Sequence, residues 1–113
     1  MVQLWDTSGD AKSEHITSAY FSSGYHAIHV FDLTRRDRFE SLRSRTLPMR
    51  RWASERVRLL VGTRADEGAA VVGLAEEARA FAAERGWEFV QISAKADRRG
   101  ASHVRYGKWL FIF

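Results

Sequence analysis

Four short apolar runs, each followed at once by polar or glycine residues, most constrain how this chain folds. They lie at Val2–Trp5, Ala27–Phe31, Val57–Gly62 and Trp87–Ile92. The longer stretches between them carry apolar residues at helical spacing. Strands that alternate with helices join into a parallel sheet covered by those helices. The pattern predicts an α/β fold, a three-layer arrangement of a mainly parallel sheet with flanking helices, in one domain over residues 1–113.

End signals place the helices between these runs. Residues 12–23 are polar with apolar residues at helical spacing, so they can form a short helix. A second helix begins near Arg36, and Pro48 should kink or split it. A third helix runs from about Leu74 and is expected to stop at Gly86, a residue type that commonly ends helices.

Composition narrows the class of protein. Apolar residues make up 45% of the chain, with four tryptophans and seven phenylalanines, which favours a packed core. The absence of cysteine excludes disulfides and cysteine-based metal sites. His26 and His29 are three positions apart in and beside a strand, where that spacing directs them to opposite faces, so we expect no metal site there. With no signal peptide or membrane-spanning run, we expect a cytoplasmic protein.

The basic balance does not indicate a nucleic-acid partner. The net charge is +4, and many arginines lie between Arg35 and Arg64. Binding to nucleic acid would require them on one face together with aromatic stacking platforms. They are instead spread around a helical pattern and mixed with acidic residues. We therefore expect a solvated helix face and no nucleic-acid binding.

The first strand ends in a segment that can bind a ligand, Asp6-Thr7-Ser8-Gly9. In open α/β sheets, ligands bind at the carboxyl ends of the strands. A carboxylate such as Asp6 can hold a metal ion directly or through water. Gly9 has no Cβ, so its backbone N–H can approach a phosphate closely. Taken alone, the segment also fits an ordinary Asx-type turn.

Two later strands end in segments that suit a purine base. The carboxylate of Asp66 can accept two parallel hydrogen bonds from the N1–H and N2–H₂ edge of guanine, a pair that adenine does not offer. The planar guanidinium of Arg64 can lie over the base. Backbone N–H groups of Ser93-Ala94-Lys95 can bind the guanine O6. Each short segment alone also fits an ordinary loop.

The order of these segments carries a family resemblance. The block Leu4–Gly9 resembles the switch II entry of Rab-type small GTPases, Trp-Asp-Thr-Ala-Gly-Gln. Thr63-Arg64-Ala65-Asp66 and Ser93-Ala94-Lys95 follow in the family's order, each straight after a predicted strand. The chain resembles the C-terminal two-thirds of a Rab-type small GTPase of the Ras superfamily. The resemblance covers residues 2 to about 95, and 96–113 form a divergent tail.

The resemblance implies binding of GTP and GDP with Mg²⁺, GTP hydrolysis, and a role in vesicle-mediated transport. Asp6 would contact Mg²⁺ through water, and the Gly9 N–H would sense the γ-phosphate. Trp5 and Tyr20 match two members of an apolar triad presented to effector proteins, although core packing is an alternative for both. The residues that would hold the guanine are Thr63, Arg64 and Asp66, with Ser93, Ala94 and Lys95 behind it.

The sequence also departs from the family. It contains no phosphate-binding loop, Gly-x-x-x-x-Gly-Lys-[Ser/Thr], since the glycine pair Gly68 and Gly73 is followed by Leu74. It also lacks the switch I segment, so we expect an incomplete P-loop NTPase fold. That loop and its lysine bind the β- and γ-phosphates. Asp10 stands at the position of the water-orienting Gln, so we expect slow hydrolysis.

The missing loop has a structural consequence as well. In the family fold, the strand that carries it lies between the strands of Val2–Trp5 and Ala27–Phe31. We therefore expect either a gap in the sheet or direct pairing of these two strands. The end of the chain, Lys108–Phe113, is apolar and strand-like, and it has no cysteine for prenylation, so we expect no membrane anchor in this chain.

Two functions follow. The first is a Rab-like GTP-binding fragment of impaired activity, with effector or regulator proteins as partners. The alternative is a non-catalytic interaction fragment that keeps the surface of Trp5 and Tyr20 and binds no nucleotide.

Overall fold

The computed structural model describes residues 3–6, 26–49, 56–95 and 109–112, which form five strands, two α-helices and one 3₁₀ turn. The strands are β1 Gln3–Asp6, β2 His26–Asp32, β3 Arg56–Thr63, β4 Glu88–Gln91 and β5 Trp109–Ile112. The helices are α1 Arg36–Met49 and α2 Val72–Glu84, with the 3₁₀ turn at Gly68–Val71. Every predicted strand is present, and the predicted α/β class is confirmed. The predicted helix within residues 12–23 lies outside the described residues.

All pairings in the sheet are parallel, and the strand order is β1-β5-β2-β3-β4. The last strand in sequence thus lies between the first two. Leu110 of β5 is in register with Leu4 on one side and with His26 on the other. The expectation of a gap or of direct pairing between β1 and β2 is therefore wrong.

Strand β5 suits this position because it is apolar and because its backbone groups can pair with a strand on each side. A strand inside a parallel sheet is buried on both faces and reads as a continuous apolar run, and Trp109–Ile112 is such a run. Each buried backbone N–H or C=O left without a partner would cost about 1–3 kcal/mol. By pairing on both sides, β5 supplies partners to β1 and β2.

Both described helices pack on the same face of the sheet. The ring of Phe39 in α1 lies 5.1 Å from that of Phe31 in β2 and 5.6 Å from that of Phe81 in α2. Phe39 and Leu60 are fully buried at the centre of this cluster. Phe39, Phe81 and Ala78 all lie on the buried sides of the helices.

The opposite face of the same strands is apolar too. Ile28, Leu59 and Val61 are buried there, with the partly buried Val30 and Ile92 packed against them. Neighbouring positions along β2 and β3 therefore belong to two different clusters. Burial on both faces explains why these strands appear in the sequence as mostly apolar runs.

Pro48 and Gly86 lie at the ends of the two described helices. Helix α1 includes Pro48 in its last turn, so this proline, which was predicted to kink or split the helix, does not divide it within the described residues. Helix α2 is followed by Gly86 in the left-handed region, with φ of 68°. The backbone N–H of Trp87 then donates to the carbonyl of Ala82 at 2.9 Å, which closes the helix as expected. In the described part of the chain, neither helix has the length and apolar character that a membrane span requires.

Gly62 provides a packing test. A Cβ at this position would lie 2.8 Å from Cγ of Leu33, a fully buried side chain that cannot move aside easily. We expect Gly62→Ala to lower the free energy of unfolding by about 1–3 kcal/mol through overpacking. The matched control is Gly73→Ala in α2, where a Cβ meets nothing within 4 Å. That variant should gain up to about 1 kcal/mol from helix propensity. Urea unfolding of both variants checks this, and equal effects would contradict it.

Candidate functional site

The parallel sheet brings the carboxyl ends of its strands to one edge. β1 ends there at Asp6, which is exposed and in register with Ile112 of β5. A carboxylate oxygen is a ligand that Mg²⁺ accepts, usually together with waters and substrate phosphates. No cluster of three or more His, Cys, Asp or Glu that could hold a metal exists among the described residues. Among the described residues, Asp6 thus contributes one exposed carboxylate to this edge.

The loop after β3 is tied to the strands on both sides. The Thr63 hydroxyl donates to the carbonyl of Phe31 at the end of β2, at 3.2 Å. The backbone N–H of Ala65 donates to the carbonyl of Ile92 beyond β4, also at 3.2 Å. The Ile92 N–H in turn donates to the Gly62 carbonyl at 2.9 Å. The segment Thr63–Asp66 is thus fixed between β2 and β4.

Asp66 and Ser93 meet across this edge. The Ser93 hydroxyl donates to Oδ1 of Asp66 at 2.6 Å, with Ser93 buried and Asp66 exposed. This hydrogen bond is the largest cause that lowers the pKa of Asp66, followed by a hydrogen bond from its own backbone N–H. Desolvation opposes them, and the charges of Lys95 and Arg64 lower the pKa further. The carboxylate is therefore ionised at neutral pH, oriented by Ser93, and accessible to a ligand.

Arg64 is the third feature of the edge. Its Nη1 lies 3.4 Å from Oδ2 of Asp32 and its Nη2 lies 3.1 Å from Oε1 of Glu67. Burial raises the pKa of Asp32, but hydrogen bonds from Thr34 and the guanidinium of Arg64 outweigh it, so the net shift is downward. The guanidinium is therefore held by two carboxylates from different parts of the chain.

The structure thus assembles part of the predicted site. Thr63, Arg64, Asp66 and Ser93 lie together, and the exposed Ala94 and Lys95 follow Ser93 directly. Asp32 and Glu67, the two partners of Arg64, are not among the residues predicted from the sequence. The available signal for Asp32 was an Asp-x-Thr segment at the end of a strand, a pattern typical of an Asx turn.

Other predicted residues lie outside what the structure describes. Gly9, Asp10 and Tyr20 belong to residues 7–25, which the described ranges do not include. Trp5 belongs to β1, whose backbone is described, but its side chain is not. Their predicted roles in phosphate sensing, catalysis and effector binding stay predictions.

Comparison with known proteins identifies the family. The sequence profile of the Ras family matches residues 1–103. Over 95 residues the chain is 40% identical to the Ras-related protein Rab-2B of Dictyostelium discoideum. The matched region covers 83% of this chain and 47% of that protein. The chain is a Rab-type member of the Ras family. The resemblance deduced from the switch II entry and the two later loops is confirmed.

Other relatives agree with this assignment. The Rab-type chain is 38% identical to the GTP-binding protein YPTM2 of Zea mays, again over 95 residues and 47% of that protein. It is 37% identical over the same length to the Ras-related protein RABD2c of Arabidopsis thaliana. The chain spans about half the length of these relatives. Its parallel sheet with helices is consistent with a partial small GTPase domain.

Proposed function

We propose that this Rab-type chain binds guanine nucleotides and acts in GTP-dependent control of vesicle-mediated transport. The observation that carries the proposal is the hydrogen bond from Ser93 to Asp66, which joins the loops after β3 and β4 at the ligand edge of the sheet. The chain's similarity to a protein named as GTP-binding supports it. We propose cytoplasmic and endomembrane-associated action, with effector or regulator proteins as partners.

Base recognition would depend on Asp66. Its ionised carboxylate, oriented by Ser93, can accept hydrogen bonds from both N1–H and N2–H₂ of guanine, whereas adenine presents an acceptor at N1. The Arg64 guanidinium can lie over the base plane. The backbone N–H groups of Ala94 and Lys95, which follow Ser93, would donate hydrogen bonds to the guanine O6. These groups give a selective site for the base.

The phosphate side would depend on Asp6 and Gly9. Asp6 would hold Mg²⁺ through water, and bound Mg²⁺ would neutralise charge on the phosphates. The Gly9 N–H would meet the γ-phosphate. Asp10 is short and anionic, so it is poorly suited to orient an attacking water beside a triphosphate. We therefore propose that GTP hydrolysis is slow, which phosphate release from bound GTP would measure.

Substitution of Asp66 tests base recognition. We expect Asp66→Ala to weaken binding of GDP by roughly 100-fold, because hydrogen bonds to a charged group contribute about 1.5–3 kcal/mol each. It should also remove the preference for GDP over IDP, since inosine lacks the N2 amino group. Isothermal calorimetry with Mg²⁺ present gives both ratios. Because a ligand that binds only the folded state raises the melting temperature, GDP should raise it in the unsubstituted chain and ATP should not.

The matched control is Glu84→Ala. Glu84 is an exposed carboxylate in the last turn of α2, 3.8 Å from Arg85, and α2 runs from the carboxyl edge back to the start of β4. This variant should bind GDP like the unsubstituted chain. Melting of both variants without nucleotide separates lost binding from lost folding. The proposal fails if guanine nucleotides and ATP shift the melting temperature alike, or if neither shifts it.

A further inference from the structure

We propose that Asp32 is a positioning residue for Arg64, which it holds ready on the base side of the site. The inference rests on the proposed guanine binding. It adds a residue from β2, an element that contributes nothing to the predicted set of guanine contacts. Its basis is the geometry of three groups: Arg64, the Asp32 carboxylate, and Thr34, which fixes that carboxylate.

The backbone fixes where the Arg64 side chain starts. Arg64 has φ of 60°, and in the described part of the chain no other non-glycine residue has a positive φ. Such a conformation persists only when its surroundings hold it. The Ala65 N–H donates to Ile92 and the Glu67 N–H donates to the Arg64 carbonyl, both at 3.2 Å. The direction of the Arg64 Cβ is therefore set by the loop.

The Asp32 carboxylate is itself held in place. The backbone N–H of Thr34 donates to Oδ1 of Asp32 at 2.8 Å, and the Thr34 hydroxyl donates to the same oxygen at 2.6 Å. Oδ2 is then directed to Arg64 Nη1 at 3.4 Å. One oxygen anchors the side chain to its own turn, and the other receives the guanidinium.

Glu67 also binds Arg64, but it is less suited to position it. Its carboxylate lies in the same turn, three residues on, and its side chain is 44% exposed against 28% for Asp32. Within the described ranges, no second hydrogen bond fixes the Glu67 carboxylate. The Glu67 carboxylate therefore attracts the Arg64 guanidinium by its charge but fixes its orientation poorly. The Asp32 carboxylate attracts the guanidinium and also fixes its orientation.

Restraint of the Arg64 side chain by Asp32 before a ligand arrives should strengthen binding of that ligand. An arginine side chain loses rotamer freedom when a ligand fixes it, and less is left to lose when a carboxylate already restrains it. The pair is partly exposed to solvent, so the effect is modest. We expect Asp32→Asn to weaken binding of guanine compounds about two- to fivefold, the range of an exposed ion pair.

The binding experiment uses the full chain and three variants. Asp32→Asn should weaken binding of guanosine and GDP by the same factor, because Arg64 acts on the base and not on the phosphates. Glu67→Gln, which also removes one negative partner of Arg64, should weaken both affinities less than Asp32→Asn does. Thr34→Val keeps the Asp32 charge but removes one anchoring bond, so its effect should lie between the two. An equal loss in Asp32→Asn and Glu67→Gln would overturn the inference.

A second readout needs no nucleotide. In ¹⁵N-labelled protein, the Nε–Hε signal of Arg64 is identified by its disappearance in Arg64→Lys. Asp32→Asn should shift or broaden this signal, and Glu67→Gln should affect it less. An unchanged signal in Asp32→Asn would overturn the inference. If the unsubstituted chain binds neither guanosine nor GDP, the proposed function fails, and this signal still decides whether Asp32 positions Arg64.

Discussion

Replacing Phe39 by alanine should lower the free energy of unfolding by about 3–5 kcal/mol, the usual cost of truncating a buried phenylalanine. Phe39 is fully buried and joins three elements of the core, since it belongs to α1 and its ring contacts Phe31 in β2 and Phe81 in α2. The cavity would open where both helices meet the sheet. For a domain of roughly 5–15 kcal/mol total stability, this loss is severe.

The control for this substitution lies on the same helix. Ser44 is exposed, and within the described ranges its hydroxyl donates to the carbonyl of Ser41 one turn earlier. Ser44→Ala should change stability by no more than about 0.5 kcal/mol. Chemical denaturation followed by tryptophan fluorescence gives both values. A Phe39→Ala variant as stable as Ser44→Ala would show that the aromatic cluster does not hold α1 to the sheet.

Acid should destabilise this protein in a window set by His29. His29 is 3% exposed and stacks on Trp87 with a centroid distance of 4.9 Å. Burial, and next the nearby charge of Arg58, lower its pKa from 6.5 to about 4. The folded state therefore keeps His29 neutral while the unfolded state takes up a proton. The lowered pKa of His29 contributes about 3 kcal/mol to the free energy of unfolding above pH 6.5. This contribution is lost progressively as the pH falls from 6.5 towards 4.

His29→Phe tests this, because phenylalanine keeps an aromatic ring beside Trp87 and cannot titrate. The free energy of unfolding of the unsubstituted chain should fall between pH 6.5 and 4, and that of the variant should stay nearly level there. The carboxylates of Asp32 and Asp66 have lowered pKa values, so their contribution falls below this window. Parallel pH profiles for the two proteins would show that His29 is not the titrating group.

The sequence predicted the elements better than their arrangement. Apolar runs marked β2, β3 and β4 to within two residues. Strands β2 and β3 are buried on both faces and so have few polar positions, whereas β4 is an edge strand with mostly exposed residues. A four-residue run such as Trp109–Ile112 can be identified as a strand, but nothing in its periodicity says which strands it pairs with. Its place between β1 and β2 depends on contacts across almost the whole chain, which local patterns do not encode.

In the candidate site, too, the residues were easier to predict than the contacts between them. The guanine-type segments were found because their residue types and order are distinctive. The ion pair between Asp32 and Arg64 was not, because the two residues are far apart in sequence and meet only through the β2–β3 pairing. The charge of each residue is visible in the sequence, but the rotamer that brings the two together is not.

The position of β5 bears on the order in which this protein can form during synthesis. Strands β2, β3 and β4 are joined by α1 and α2 through local connections, so this part of the sheet can assemble as it leaves the ribosome. Strand β1 is made before all of them, yet its partner β5 is made last, over a hundred positions later. The pairing of β1 with β5 must therefore wait until β5 has emerged.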